Sequence, residues 1–214
     1  VSEIFDHLTG QEPGRADGRF HGVAIGIVTN NRDPDGLGRV KVALPWLADD
    51  VETDWARVAV PMAGAGRGFS FLPEVDDEVL VAFEHGNPEV PYVVGALWNG
   101  KDRPPVTNGD GRNDTRSITS RSGHVIRLVD TDRDERIEIV DRSAGNSVVI
   151  STKDNRITIT ATADVVISAG GKLRLSGNGV EIVSKADVNV EAESALAVKS
   201  GGRLAIKGSQ VNIN

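Results

Sequence analysis

Eight aliphatic triplets recur through the last third of the chain: Ile157-Thr158-Ile159, Val165-Val166-Ile167, Leu173-Arg174-Leu175, Val180-Glu181-Ile182, Val188-Asn189-Val190, Leu196-Ala197-Val198, Leu204-Ala205-Ile206 and Val211-Asn212-Ile213. Their first residues are spaced by 8, 8, 7, 8, 8, 8 and 7 positions. Within each triplet the outer residues fall on one face of an extended strand. Between triplets stand turn formers such as Gly170-Gly171, Gly177-Asn178-Gly179, Gly201-Gly202 and Gly208-Ser209. One short strand per fixed period is the pattern of a solenoid.

The period constrains assembly as well as local structure. Eight residues supply one strand and one corner, which do not close a tube. Three such units per coil would give a single chain fewer than three coils from the 67 residues 148–214, with both ends open. If three copies each supply one wall, every layer closes. About nine strands per chain would then build a prism roughly 40 Å long at ~4.8 Å per strand. The expectation is an intertwined trimeric β-helix; a single-chain β-helix is the alternative.

Composition divides the chain at the same place. All nine aromatic residues (Phe5, Phe20, Trp46, Trp55, Phe69, Phe71, Phe83, Tyr92, Trp98) precede residue 100. A globular core uses such rings, whereas a thin stack of β-branched layers has little room for them. Residues 1–100 hold 7 Lys+Arg against 16 Asp+Glu, 101–144 hold 9 against 9, and 145–214 hold 8 against 6, giving −7 in all. That balance disfavours a general phosphate-backbone binder. With no cysteine there is neither a disulfide framework nor a Cys-based zinc site. No apolar run reaches the ~18 residues of a membrane span, and no charged-then-apolar segment opens the sequence. Synthesis in a bacterial cytoplasm without a signal peptide is the expectation.

Residues 1–21 read as a polar N-terminal arm, and residues 22–98 as a small barrel of the oligonucleotide/oligosaccharide-binding (OB) type. Its strands are expected at 23–28, 39–44, 55–60, 78–83 and 91–97. Residues 99–117, with Pro104-Pro105 and Asn108-Gly109-Asp110-Gly111, read as a linker. Junction strands are expected within 118–147, at 126–128 and 137–139, and the needle over 148–214. The fold class is therefore all-β.

Several blocks of the barrel resemble a known family. They are Gly26-Ile27-Val28-Thr29-Asn30-Asn31, Asp33-Pro34-Asp35-Gly36-Leu37-Gly38-Arg39-Val40-Lys41-Val42, Pro45-Trp46-Leu47, Trp55-Ala56-Arg57-Val58, Ala63-Gly64-Ala65-Gly66-Arg67-Gly68-Phe69, Phe71-Leu72-Pro73-Glu74-Val75, Asp77-Glu78-Val79-Leu80-Val81-Ala82-Phe83-Glu84-His85-Gly86 and Pro91-Tyr92-Val93-Val94-Gly95. In this order they are similar to the barrel of phage baseplate assembly protein V and of the valine-glycine-repeat (VgrG-like) central spikes of contractile injection systems. Ser120-Arg121-Ser122-Gly123-His124-Val125-Ile126-Arg127-Leu128 is similar to the segment that joins barrel to needle in those spikes.

The resemblance implies a structural central spike at the baseplate of a virion or injection particle. It would be seated on a hub protein, pierce the target outer membrane in transient contact with it, and act as no enzyme. Some family members place a lysozyme between barrel and needle; nineteen residues cannot hold one. The resemblance also implies a sharpening cap of the proline-alanine-alanine-arginine (PAAR) repeat type. Val211, Ile213 and Asn214 are the expected tip-protein interface, because the last strands would end in unpaired edges.

Chemistry-bearing motifs are sparse. Gly64, Gly66 and Gly68 around Arg67 suggest a phosphate cradle, but a strand-like 69–72 and then Pro73 follow instead of a helix. An inter-subunit loop accounts for them better. His7, His21, His85 and His124 lack ligand spacing, and no histidine follows to form the His-x-His tip site of some phage spikes. Asp164, Glu181, Asp187, Glu191 and Glu193 read as solvating carboxylates rather than a convergent acid/base pair. No catalytic, cofactor or metal residue is assigned.

Two other classes remain: a β-solenoid surface fibre or scaffold, and an oligonucleotide-binding barrel. The last would stack bases on aromatics in a basic groove, which sits poorly with −9 over residues 1–100. An oligonucleotide titration over a salt series is expected to show no mobility shift; a salt-dependent shift would favour the nucleic-acid reading.

Overall fold

The computed structural model of the chain describes residues 19–47 and 52–212. Among them are twelve strands and one 3-10 turn, Glu84–Gly86, with no α-helix. The chain divides into two compact units, Val1–Thr162 and Ala163–Asn214.

The barrel strands are β1 (Val23–Asn30), β2 (Lys41–Ala43), β3 (Arg57–Val58), the small hairpin β4 (Ala63–Gly64) and β5 (Arg67–Gly68), then β6 (Glu78–Phe83) and β7 (Pro91–Ala96). The main sheet runs β2-β1-β6-β7-β3, antiparallel except for the parallel β3–β7 pair. Its two ends meet. Val40, just before β2, and Ala56, just before β3, exchange backbone hydrogen bonds of 3.0 and 2.7 Å. The Thr53 N–H donates to the Val42 carbonyl at 2.8 Å, and the Val42 N–H donates to the Thr53 hydroxyl at 3.1 Å. These bonds satisfy edge groups that an open sheet would leave to water or to another chain.

Alternation fills the interior. Ala24, Gly26 and Val28 of β1 point inward with Val79, Val81 and Phe83 of β6, and they meet Val40, Val42 and Val93. The core is mostly valine, whose branched side chain packs well on a pleated surface. Phe20 packs against this core from before β1. Its N–H donates to the Gly86 carbonyl at 2.8 Å, and its ring lies 4.7 Å from Trp46 and 5.6 Å, edge-on, from Phe83. Gly26 admits no larger residue, because a Cβ there would stand 2.2 Å from Val42 Cγ1.

The loop from β1 to β2 is folded around one carboxylate. Asp33 accepts hydrogen bonds from the backbone N–H groups of Asp35, Leu37 and Arg39 and from the Arg39 guanidinium, which also reaches Asp35. The Asp33 side chain is only 3% exposed. The Arg39 hydrogen bond, reinforced by those backbone donors, holds the Asp33 carboxyl far below the usual carboxylate range. Gly36 and Gly38 take φ of 66° and 72°, which glycine adopts without penalty, and the turn lifts Leu37 into solvent.

Five further strands make an antiparallel meander: β8 (Thr115–Thr119), β9 (Val125–Val129), β10 (Arg136–Val140), β11 (Ser147–Ser151) and β12 (Arg156–Thr160). Each of its four turns contains one left-handed residue: Gly123, Arg133, Ala144 and Asn155. Side chains brace these turns, Glu135 Oε1 accepting from the Arg133 N–H at 3.3 Å in the second. Ser120 Oγ accepts from the His124 N–H, the Asp141 carboxylate from the Asn146 N–H and Nδ2, and Ser151 Oγ from the Asp154 N–H. The meander is tied to the barrel by Arg121, whose Nη1 lies 2.7 Å from Glu74 Oε2.

The strands expected in the barrel are present, although 39–44 and 55–60 shorten to β2 and β3, and 69–72 forms no strand. β8 begins inside the stretch read as linker, and the meander continues past residue 148 to Thr160. The triplet 157–159 lies in β12, whereas residues 163–212 form no ladder within this chain.

Gly26→Ala is expected to destabilise the full chain by about 1–3 kcal/mol through overpacking, read as a lower urea midpoint at an unchanged slope. The Asp33 clasp sets a pH dependence. Its folded pKa is depressed, so its contribution is complete above the unfolded value of about 4 and is lost as pH falls through the lower folded value. Asp33→Asn should therefore flatten the acid limb of a stability-versus-pH curve below about pH 4; an unaltered limb would remove Asp33 from that role.

Candidate functional site: an uncovered aliphatic face

The meander is two-faced because neighbouring residues of a strand point to opposite sides. Register places Ile118, Ile126, Ile139, Val148 and Ile159 in one row across the sheet. Arg116, Leu128, Ile137, Ile150 and Ile157 form a second row on the same face. Nine of these ten positions are aliphatic, and eight of the nine are 42–66% exposed. Covering a side chain fully is worth about 1.5–3 kcal/mol, so the uncovered half amounts to on the order of 1 kcal/mol per residue.

The opposite face carries an ionic network beside Val125, Val129, Val140 and Val149. Arg127 Nη1 lies 3.1 Å from Glu138 Oε2, Arg136 Nε lies 2.6 Å from Glu138 Oε1, and Arg136 Nη1 lies 2.6 Å from Asp134. Glu138, aided by Asp134, raises the Arg136 pKa above its ordinary value. Near one end of the sheet the Ser143 hydroxyl and the Asn146 amide groups lower the Asp141 pKa. Charge is paired on this face, and the other is aliphatic apart from Arg116.

In the second unit each triplet repeats the two aliphatic positions of a meander strand, and those from Val165 to Val211 are exposed. Val211, expected at the tip interface, is 48% exposed; Ile213 and Asn214 lie outside the described residues. The carboxylates Asp164, Glu181, Asp187, Glu191 and Glu193 are exposed. Val211 is separate in sequence from the meander face.

The barrel carries a smaller apolar surface that the sequence showed only as a glycine-rich loop. The β4–β5 hairpin folds the Arg67 guanidinium over Gly64, leaving the glycines in a turn rather than a helix-backed cradle. Beside it a cleft of about 520 Å³ is lined by Leu37, Met62, Phe69, Phe71 and Leu72 among others. Phe71 is 61% exposed. The signal for this surface was the pair of rings at alternate positions, Phe69 and Phe71, beside a turn.

The described histidines are apart. His21 lies beneath Gly86, His85 occupies the 3-10 turn with φ of 49°, and His124 Nδ1 accepts from the Arg142 N–H; His7 lies outside the described residues. Among the described residues no group of three or more His, Cys, Asp or Glu is placed to hold a metal ion.

Comparison with known proteins places the barrel. Residues 24–98 match the family model of the type VI secretion system/phage-baseplate injector OB domain. The chain is similar to the type VI secretion system spike protein VgrG2a of Pseudomonas aeruginosa, with 35% identity over 100 residues, covering 45% of this chain and 12% of that protein. It is 40% identical over 88 residues to the spike protein VgrG5 of the same species, covering 39% and 11%. It is 30% identical over 97 residues to the actin cross-linking toxin VgrG1 of Vibrio cholerae, covering 44% and 9%. The chain thus spans only about a tenth of the length of these relatives. Residues 24–98 are thus similar to a type VI secretion system/phage-baseplate injector OB domain, in a chain that resembles the VgrG-type baseplate spikes.

Proposed function

We propose that three copies of this chain form the central spike of a contractile phage tail or related injection apparatus, and that its role is mechanical rather than enzymatic. The observation that carries this reading is the aliphatic face, two residues wide, that the meander leaves to solvent. One flat sheet cannot cover itself. Three such sheets, turned inward about a threefold axis, bury all three faces in a closed symmetric assembly.

The residues after Thr162 support the same arrangement. They keep two aliphatic positions per triplet, yet through residue 212 they find no hydrogen-bonding strand within the chain. Ordering fifty residues costs about 1–2 kcal/mol each, which exposed side chains do not offset. Strands from two further copies would supply both the ladder and the cover. A prism built of stacked, bonded layers resists axial load, as piercing an outer membrane requires.

The barrels would form a collar on a separate hub protein, with the cleft and the half-exposed Val23 and Ile25 as apolar contact surfaces. At the far end Val211, Ile213 and Asn214 would seat a tip protein of the PAAR-repeat type. Light scattering of the full chain is expected to give three times its 22.7 kDa mass. A monomer at micromolar concentration would overturn the three-chain reading. Deleting residues 209–214 should leave the trimer intact and abolish tip-protein binding; unchanged binding would remove those residues from the interface.

A further inference from the structure

The meander face has one position that its aliphatic rows do not explain. β9 to β12 each contribute an aliphatic pair to the two rows: Ile126/Leu128, Ile137/Ile139, Val148/Ile150 and Ile157/Ile159. β8 contributes Ile118 and Arg116. Arg116 therefore stands where an aliphatic residue would complete the face. Its Nη1 donates to the Asp130 carboxylate, which lies just beyond the end of β9. The Asp130 N–H donates to the Asp114 carbonyl at 2.7 Å, holding that end of the pair in the ladder.

We infer that the Arg116–Asp130 pair sets the axial register of the three chains. This rests on the three-chain reading and goes beyond it. An aliphatic column that repeats at every strand does not specify its own alignment. Sliding one chain by a strand spacing, ~4.8 Å, lays one aliphatic pair on another with little loss. Polar or ionic groups at a single level of a repeating apolar column remove such degeneracy, at some cost in stability.

In the aligned assembly three Arg116–Asp130 pairs share one layer at the barrel end of the column, and polar groups meet polar groups. In a slipped assembly one pair is desolvated among the leucine and isoleucine side chains of its neighbours. An ion pair removed from water regains only part of its hydration from its own Coulomb attraction. The slip is therefore penalised at this level and at no other level of the meander face.

The test uses the full chain. It contains no cysteine, so Lys153→Cys, in the exposed β11–β12 turn, gives one nitroxide site per copy. Dipolar spectroscopy on the otherwise unaltered protein is expected to show a single inter-label distance. In Arg116→Leu/Asp130→Leu the trimer mass should persist, the melting temperature should be equal or higher, and the single distance should split into two or more populations. The exchanged pair, Arg116→Asp/Asp130→Arg, should restore one distance.

A single distance in the double-leucine trimer overturns the inference, as does a lower melting temperature with alignment intact, which would make the pair an ordinary stabiliser. If the exchanged pair gives several distances, the inference also fails. A monomeric mass for the unaltered chain would instead defeat the three-chain reading itself, so the two failures are distinguishable.

Discussion

A single sheet with one dry face has nowhere to put it. That constraint governs the meander, where strand alternation segregates nine aliphatic residues from the Arg127–Glu138–Arg136 ionic ladder. The ladder is not an independent embellishment. Once Ile126 and Leu128 are committed to one side, Arg127 must take the other, and Glu138 faces it across the register. Partition and pairing follow from the same two-residue period. The hydrophobic term dominates, since the desolvation of part-buried ion pairs offsets much of their Coulomb gain, against several kcal/mol of uncovered aliphatic surface.

The barrel solves the same problem within one chain. Its sheet curls until Val40 and Ala56 bond across the seam, so the valine-lined face becomes an interior. Gly26 is part of that solution, because the curl brings Val42 and Val81 close to its backbone. The meander has no such seam: β8 and β12 lie at opposite ends of its sheet order. One half of the chain thus closes on itself and the other half leaves its dry side open. The proposed threefold assembly gives the second half the closure that the first achieves alone.

How much of this could be read from the sequence depended on where each strand's partner lies. β1, β6 and β7 were legible because apolar alternation, bounding turns and self-contained pairing agreed. β8 was not, because Arg116 occupies an aliphatic row and makes residues 115–119 look polar. β11 was obscured by three consecutive apolar residues, Val148, Val149 and Ile150, which mask the two-residue period. β3 was overestimated because alternation over 55–60 does not say how far the neighbouring strand runs alongside. The triplets after residue 162 carry a strand-like pattern yet residues 163–212 form no strand within this chain, because alternation names the face to be buried and not the chain that covers it. The aromatic cleft is hidden for a related reason: its rings are distant in sequence from Leu37, whose loop is shaped by the Asp33 clasp and held to the ring segment by the Asn31 amide, which donates to the Pro73 carbonyl at 3.1 Å.

Charge follows the same division. The acidic excess falls in residues 1–100, while the remaining residues are close to neutral. Like charges spread over a broad barrel are screened by salt within roughly a Debye length of 10 Å. In a slender prism with three identical chains, every charge has two copies at the same level, and an acidic excess would repel itself along the whole length. A near-neutral repeat would avoid that repulsion, and the acidic excess stands outside it, in residues 1–100. Under the three-chain reading the Arg116–Asp130 level obeys this rule too: it brings six charges to one layer, but as three neutral pairs. Charge after residue 100 is thus balanced locally, a condition that the Arg127–Glu138–Arg136–Asp134 network meets on the face opposite the aliphatic rows.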